Sequence, residues 1–177
     1  IYGYFNLYST EMDKDYIKKM SEKLKHRGPD DHGFYKKKGI LLGNRRLSII
    51  DVEGGKQPYF SKDKKIIIVQ NGEIYNHLEL AEEVKHRGNP CITKCDTEVL
   101  LRLYELDGID FLNKLNGMFG IAIFDYRKNE LFLIRDRVGI KPLYFIKNDE
   151  SIIFASEIKS ILESDIPKQI ISEKALS

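Results

Sequence analysis

The stretch Ile66-Ile67-Ile68-Val69-Gln70-Asn71-Gly72-Glu73-Ile74-Tyr75-Asn76 decides how the fold is read. Residues 66–70 read as a strand of the kind buried inside a sheet, its first four residues a continuous apolar run. Asn71-Gly72 then carries the strongest short signal for a hairpin turn, since both residues tolerate the backbone such turns need. The pair also has a chemical reading. An asparagine amide and a glycine N–H at a strand end supply two donors that can converge on one oxygen, as a tetrahedral oxyanion requires. A helix follows from about Asn76, with Glu79 three residues on as in a capping box. Leu80, Ala81 and Val84 form its apolar face, and Gly88-Asn89-Pro90 ends it.

Towards the N-terminus, residues 2–8 read as an aromatic-rich strand. Asp13 is placed to cap a helix whose face is Tyr16, Ile17, Met20 and Leu24, stopped by Gly28-Pro29. Residues 40–42 are a short strand leading into Asn44-Arg45-Arg46-Leu47-Ser48-Ile49-Ile50-Asp51, and residues 62–65 are a solvated turn. On the other side, Asp96 or Thr97 opens a helix carrying Val99, Leu100, Leu103 and Leu106. Four short strands follow at 118–125, 130–135, 143–147 and 151–155, then a short helix at 157–162. Helices covering the faces of antiparallel strands make this an α+β chain. Residues 1–162 read as one domain, with 163–177 the start of a linker.

Composition agrees. Of 177 residues, 55 are Ile, Leu, Val or Phe, ample for a core. The 29 basic and 27 acidic residues leave a net charge of +2, which gives no electrostatic case for nucleic acid. No apolar stretch approaches the roughly 20 residues of a membrane span or the ~7–15 of a secretory signal. Two cysteines are too few for a disulfide scaffold, so a reducing cytoplasm is the default expectation. What precedes Ile1 lies outside this sequence.

Several residues have both a plain and a chemical reading. Arg46 is either one of two solvated charges or a planar partner for a carboxylate. Asp96 either caps its helix or, near Arg46 and Glu73, holds an ammonium. His86, Cys91 and Cys95 offer three soft ligands where structural zinc needs four, so no metal site is expected. Arg27-Gly28-Pro29-Asp30 reads as a helix stop, and no glycine-rich phosphate loop is present.

Taken in order, the motifs resemble a known family. They are His26-Arg27-Gly28-Pro29-Asp30, Arg46-Leu47-Ser48-Ile49-Ile50-Asp51, Asn71-Gly72-Glu73-Ile74-Tyr75-Asn76, Asp96-Thr97-Glu98 and Asn116-Gly117-Met118-Phe119. Arg135-Asp136-Arg137-Val138-Gly139-Ile140-Lys141-Pro142-Leu143-Tyr144 and Ser156-Glu157-Ile158-Lys159 complete the set. This resembles the glutaminase domain of glutamine-hydrolysing asparagine synthetase, a class II glutamine amidotransferase. The resemblance implies an N-terminal-nucleophile hydrolase fold, a four-layer αββα sandwich of two stacked antiparallel sheets. It implies an N-terminal cysteine thiolate that attacks the glutamine side-chain amide, with its own α-amine as base. Asn71 and Gly72 would form the oxyanion hole. Arg46 would bind the α-carboxylate, Leu47, Ser48, Ile49 and Ile50 would line the pocket, and Glu73 and Asp96 would hold the α-ammonium.

Family chains begin Cys-X-Ile, so the nucleophile is expected two residues before Ile1, and the chain as written is expected to be inactive. The domain itself needs no cofactor, whereas ATP and magnesium belong to a C-terminal synthetase domain, the expected partner in the same chain. Membrane and nucleic acid are not expected partners, and a homodimer is compatible with the reading. Two alternatives remain at this level: a non-catalytic glutamine-binding module, and a glutaminase serving another carboxylate acceptor such as a sugar acid.

Overall fold

A computed structural model describes residues 1–47 and 55–164. Its first sheet has the order β2-β3-β1-β9-β8, formed by β1 (Tyr2–Asn6), β2 (Asp31–Lys37), β3 (Ile40–Arg46), β8 (Tyr144–Lys147) and β9 (Ser151–Ala155). The second has the order β4-β5-β6-β7, from β4 (Tyr59–Phe60), β5 (Ile66–Ile74), β6 (Gly117–Asp125) and β7 (Glu130–Arg135). All pairings are antiparallel.

Successive side chains of a strand point to opposite faces, and this sorts the apolar residues into layers. Tyr2, Tyr4, Leu41, Ile153 and Ala155 face helices α1 (Lys14–Glu22) and α4 (Ile158–Ile161), packing on Ile17, Met20 and Ile161. The alternate positions Ile1, Ile40, Leu42 and Phe154 turn the other way and meet Ile67, Val69, Ala122 and Phe124 of the second sheet. The outer face of that sheet, with Ile66, Ile68, Ile121 and Ile123, lies under α2 (His77–His86) and α3 (Asp96–Asp107). The result is the expected four-layer αββα sandwich.

Local signals fare unevenly. Asp13 does cap α1, its Oδ1 accepting from Asp15 N at 2.7 Å. The hairpin reading of Asn71-Gly72 is corrected: β5 runs unbroken through both residues, which pair with Gly120 and Phe119 of β6. The pairing of all nine β5 residues outweighs the local turn preference. The capping box at Asn76 is not made either. Asn76 instead spends its amide on Lys114 O (2.9 Å) and Asn116 N (3.0 Å), tying α2 to the entry of β6. β2 has no clear apolar alternation in sequence because it is an edge strand with both faces partly open.

Gly3 marks a tight point at the centre of the first sheet. A Cβ there would stand 2.2 Å from the Phe154 ring and 2.5 Å from Leu41 O. Gly3→Ala should therefore lower the unfolding free energy by about 1–3 kcal/mol, the usual cost of overpacking. Urea denaturation checks this, and an unchanged midpoint would contradict the packing described.

Candidate active site

Beyond Ile68, β5 pairs with β6 on one side, while β4 covers only Ile67 and Ile68 on the other. The outer edge is where the site forms. Phe119 uses both its N–H and its C=O on Asp136, on the side away from β5. Gly72, directly opposite Phe119, is therefore a non-hydrogen-bonded pair position whose N–H points away from β6. Its neighbours of the same parity bear this out. Gln70 N donates to Gln57 Oε1 (2.7 Å) and Ile74 N donates to Asp96 Oδ2 (3.1 Å). Only glycine suits position 72, where φ is +146° and a Cβ would stand 2.0 Å from Met118 O.

This edge opens on a cavity of about 280 Å³. β5 supplies Gln70, Asn71, Gly72 and Glu73, the end of β3 supplies Arg46 and Leu47, and the start of α3 supplies Cys95, Asp96 and Thr97. The structure thus brings together six residues expected from sequence: Arg46, Leu47, Asn71, Gly72, Glu73 and Asp96. Ser48, Ile49 and Ile50 lie outside the described residues. Asn71 Nδ2 is buried with no hydrogen-bond partner among the described residues. A buried amide donor left open in this way is costly unless a ligand oxygen completes it.

Asp96 is not the helix cap of its plain reading: Cys95 holds the N-cap position. The Asp96 carboxylate instead reaches back to β5, where Oδ2 accepts from Gln70 Nε2 (2.9 Å) and Ile74 N (3.1 Å). Neither cysteine is set up as a nucleophile. Burial and the nearby Glu98 carboxylate push the Cys91 thiol up to about 11, and burial raises that of Cys95.

Two further cations line the cavity, each carried by a motif outside the residues singled out for substrate binding. Arg27 donates to Glu157 Oε1 at 3.1 Å, and His26 Nε2 lies 2.8 Å from the same oxygen. The helix-stop motif is thereby tied to the start of α4. Lys141 is delivered by a loop that closes on Asp136, whose carboxylate accepts from Ile140 N (2.8 Å), Lys141 N (2.9 Å) and Phe119 N (3.2 Å). Burial works against that charge, but the backbone donors outweigh it and hold the carboxyl below its ordinary range. Sequence reasoning missed Gln57, Gln70, Thr97, Met118 and Lys141. Of these, Thr97, Met118 and Lys141 lay within the quoted motifs without an assigned role, and Gln70 left a signal of its own, a polar residue closing an apolar run.

A family model described as a glutamine amidotransferase domain matches residues 1–177. The chain belongs to this family. Asparagine synthetase [glutamine-hydrolyzing] 2 of Bacillus subtilis (strain 168) is 41% identical over 170 residues, covering 96% of the chain and 22% of that protein. The nodule asparagine synthetase [glutamine-hydrolyzing] of Pisum sativum is 40% identical over 146 residues, 82% of the chain and 25% of its own length. The chain thus spans about a quarter of these relatives. Among solved structures, the glutamine phosphoribosylpyrophosphate amidotransferase of B. subtilis superposes with a TM-score of 0.74 at 21% identity, covering 90% of this chain and 42% of that one. That likeness shows the N-terminal-nucleophile amidotransferase fold. The protein carries the glutamine amidotransferase domain found in glutamine-hydrolysing asparagine synthetases.

Glu157 gives the amidotransferase domain a pH dependence. Burial opposes its charge, but Lys159, Arg27 and His26 together hold the carboxyl down to about 2, against about 4.3 for an unperturbed glutamate. A depressed folded value means stability present above the unfolded value and lost as pH falls through the folded one. The stability gap between wild type and Glu157→Gln should be constant above about pH 5 and close towards pH 2. Urea midpoints across that range check it, and a gap that widens on acidification would contradict it.

Proposed function

We propose that this domain hydrolyses the side-chain amide of glutamine. The rest of the protein then uses the ammonia in ATP- and magnesium-dependent synthesis of asparagine from aspartate. The open Asn71 amide on the cavity wall carries this reading. Glutamine offers one carboxylate, one ammonium and one amide, and the cavity offers a matched group for each. Arg46 pairs with the α-carboxylate, Glu73 and Asp96 with the α-ammonium, and Asn71 Nδ2 with Gly72 N–H receives the amide oxygen as it becomes an oxyanion.

The nucleophile is assigned to a cysteine two residues ahead of Ile1, and strand register supports that place. Tyr2 pairs with Gly43 in an antiparallel ladder, so continuing β1 backwards by that count brings this residue level with Arg46, at the cavity. The thiolate attacks the amide carbon, and the α-amine of the same cysteine passes its proton to the departing nitrogen. Ammonia leaves, and water then cleaves the glutamyl thioester to glutamate. The ordinary thiol and α-amine values, about 8.5 and 7.7–8.0, suit this exchange near neutrality. The free thiols of Cys91 and Cys95 support a reducing compartment, the cytoplasm. The named activity of the relatives supports asparagine as the product of the whole protein.

Two variants of the full-length protein test the assignment. Arg46→Ala should raise the glutamine KM about ten- to a hundred-fold while leaving kcat within a few-fold, because the lost contact is equal in ground and transition states. Asn71→Ala should instead lower kcat by about 10²–10³. Steady-state glutamate release measures both. An unchanged KM in Arg46→Ala would remove the carboxylate assignment, and glutamine binding with no glutamate release by the wild type would reduce the domain to a binding module.

A further inference from the structure

Gln70 stands where the pattern of its strand calls for a hydrocarbon. It falls in the row of Ile66, Ile68 and Ile74, the face of β5 that packs under the helices, and it is only 4% exposed. A polar side chain there is unfavourable unless each of its atoms is bonded. Each is, and the direction of every bond is determined. Gln70 N–H can only donate, so Gln57 must present Oε1 to it (2.7 Å). That leaves Gln57 Nε2 to donate to Thr97 Oγ1 (3.2 Å). The Thr97 hydroxyl proton then goes to Gln70 Oε1 (2.9 Å). Gln70 Nε2 is left to donate to Asp96 Oδ2 (2.9 Å), beside Ile74 N–H on the same oxygen. With Oδ2 occupied by two donors, Oδ1 carries only the long contact from Cys95 Sγ at 3.7 Å among the described residues.

We propose that Gln57, Thr97 and Gln70 are positioning residues that hold Asp96 with Oδ1 presented to the cavity. They thereby set the preference of the site for an amide substrate that bears an α-ammonium. This inference rests on the reading in which Asp96 binds that group. The three residues touch no reacting atom. They act through Asp96, so their loss weakens selection of the substrate rather than the chemical step. Reversing any amide in the circuit would leave two donors or two acceptors facing each other, so the orientation of Asp96 is locked by bonds it does not itself make.

The test uses the full-length protein and two substrates: L-glutamine and 4-carbamoylbutanoate, the same molecule without its α-amine. Gln70→Met keeps the side-chain volume and removes the donor. It should raise the L-glutamine KM about tenfold with kcat within about twofold, and reduce the preference for L-glutamine over the amine-free substrate by the same factor. Gln57→Met, at the more open end of the circuit, should move both readouts in the same direction and remains available if Gln70→Met does not fold. Asp96→Asn separates the two levels of the argument. If it raises the L-glutamine KM while both Met variants keep wild-type preference, the positioning role is overturned and the ammonium site stands. If Asp96→Asn itself leaves KM and preference unchanged, the ammonium reading fails and the positioning role falls with it.

Discussion

The site depends on a strand with one paired edge and one open edge. β5 needs its ladder with β6 to hold nine residues in line, and it needs β4 to stop at Ile68 so that the other edge is free. On that free edge the alternate N–H groups of residues 70, 72 and 74 point the same way. Gln57 takes the first and Asp96 the third. Gly72 lies between them, with Asn71 alongside on the cavity wall. The donors proposed for the oxyanion are thus spaced by sheet geometry and not by loop conformation, which gives a rigid arrangement that needs little reorganisation during reaction.

Three of the charges around this edge, Arg27, Lys141 and Asp96, are held in place by bonds to neighbouring elements. Arg27 is aimed by Glu157 across the join between the α1 region and α4, and Lys141 arrives on a loop fastened by Asp136. Asp96 is held by the Gln70 amide, which donates to its Oδ2. The supports of Arg27 and Asp96 join segments far apart in sequence, whereas that of Lys141 closes a local loop. Unpartnered charges facing a polar cavity would swing towards solvent, and buried partners prevent that at the expense of placing polar groups where hydrocarbons would pack more favourably.

Period-2 and helical patterns made most of the layers legible: residues 130–135 and 151–155 are strands as read, and Asp13 starts α1. The residues of the cavity were legible through the resemblance, since Arg46, Asn71 and Asp96 each had a plain reading alone and Glu73 carried no signal of its own. What escaped did so for physical reasons. Asn71-Gly72 has the local chemistry of a turn, and only the non-local ladder with β6 overrides it. Gln57 and Thr97 are 40 positions apart and meet only because β4 and α3 pack on the same edge. No one-dimensional pattern marks that encounter.

The most direct test of the central claim is a crystal structure of this chain with L-glutamine bound. The account predicts glutamine in the 280 Å³ cavity, its α-carboxylate on Arg46, its α-ammonium between Glu73 and Asp96 Oδ1, and its amide oxygen within hydrogen-bond distance of Asn71 Nδ2 and Gly72 N. Glutamine lying outside the cavity, or reversed with its α-carboxylate on Asn71, would contradict it.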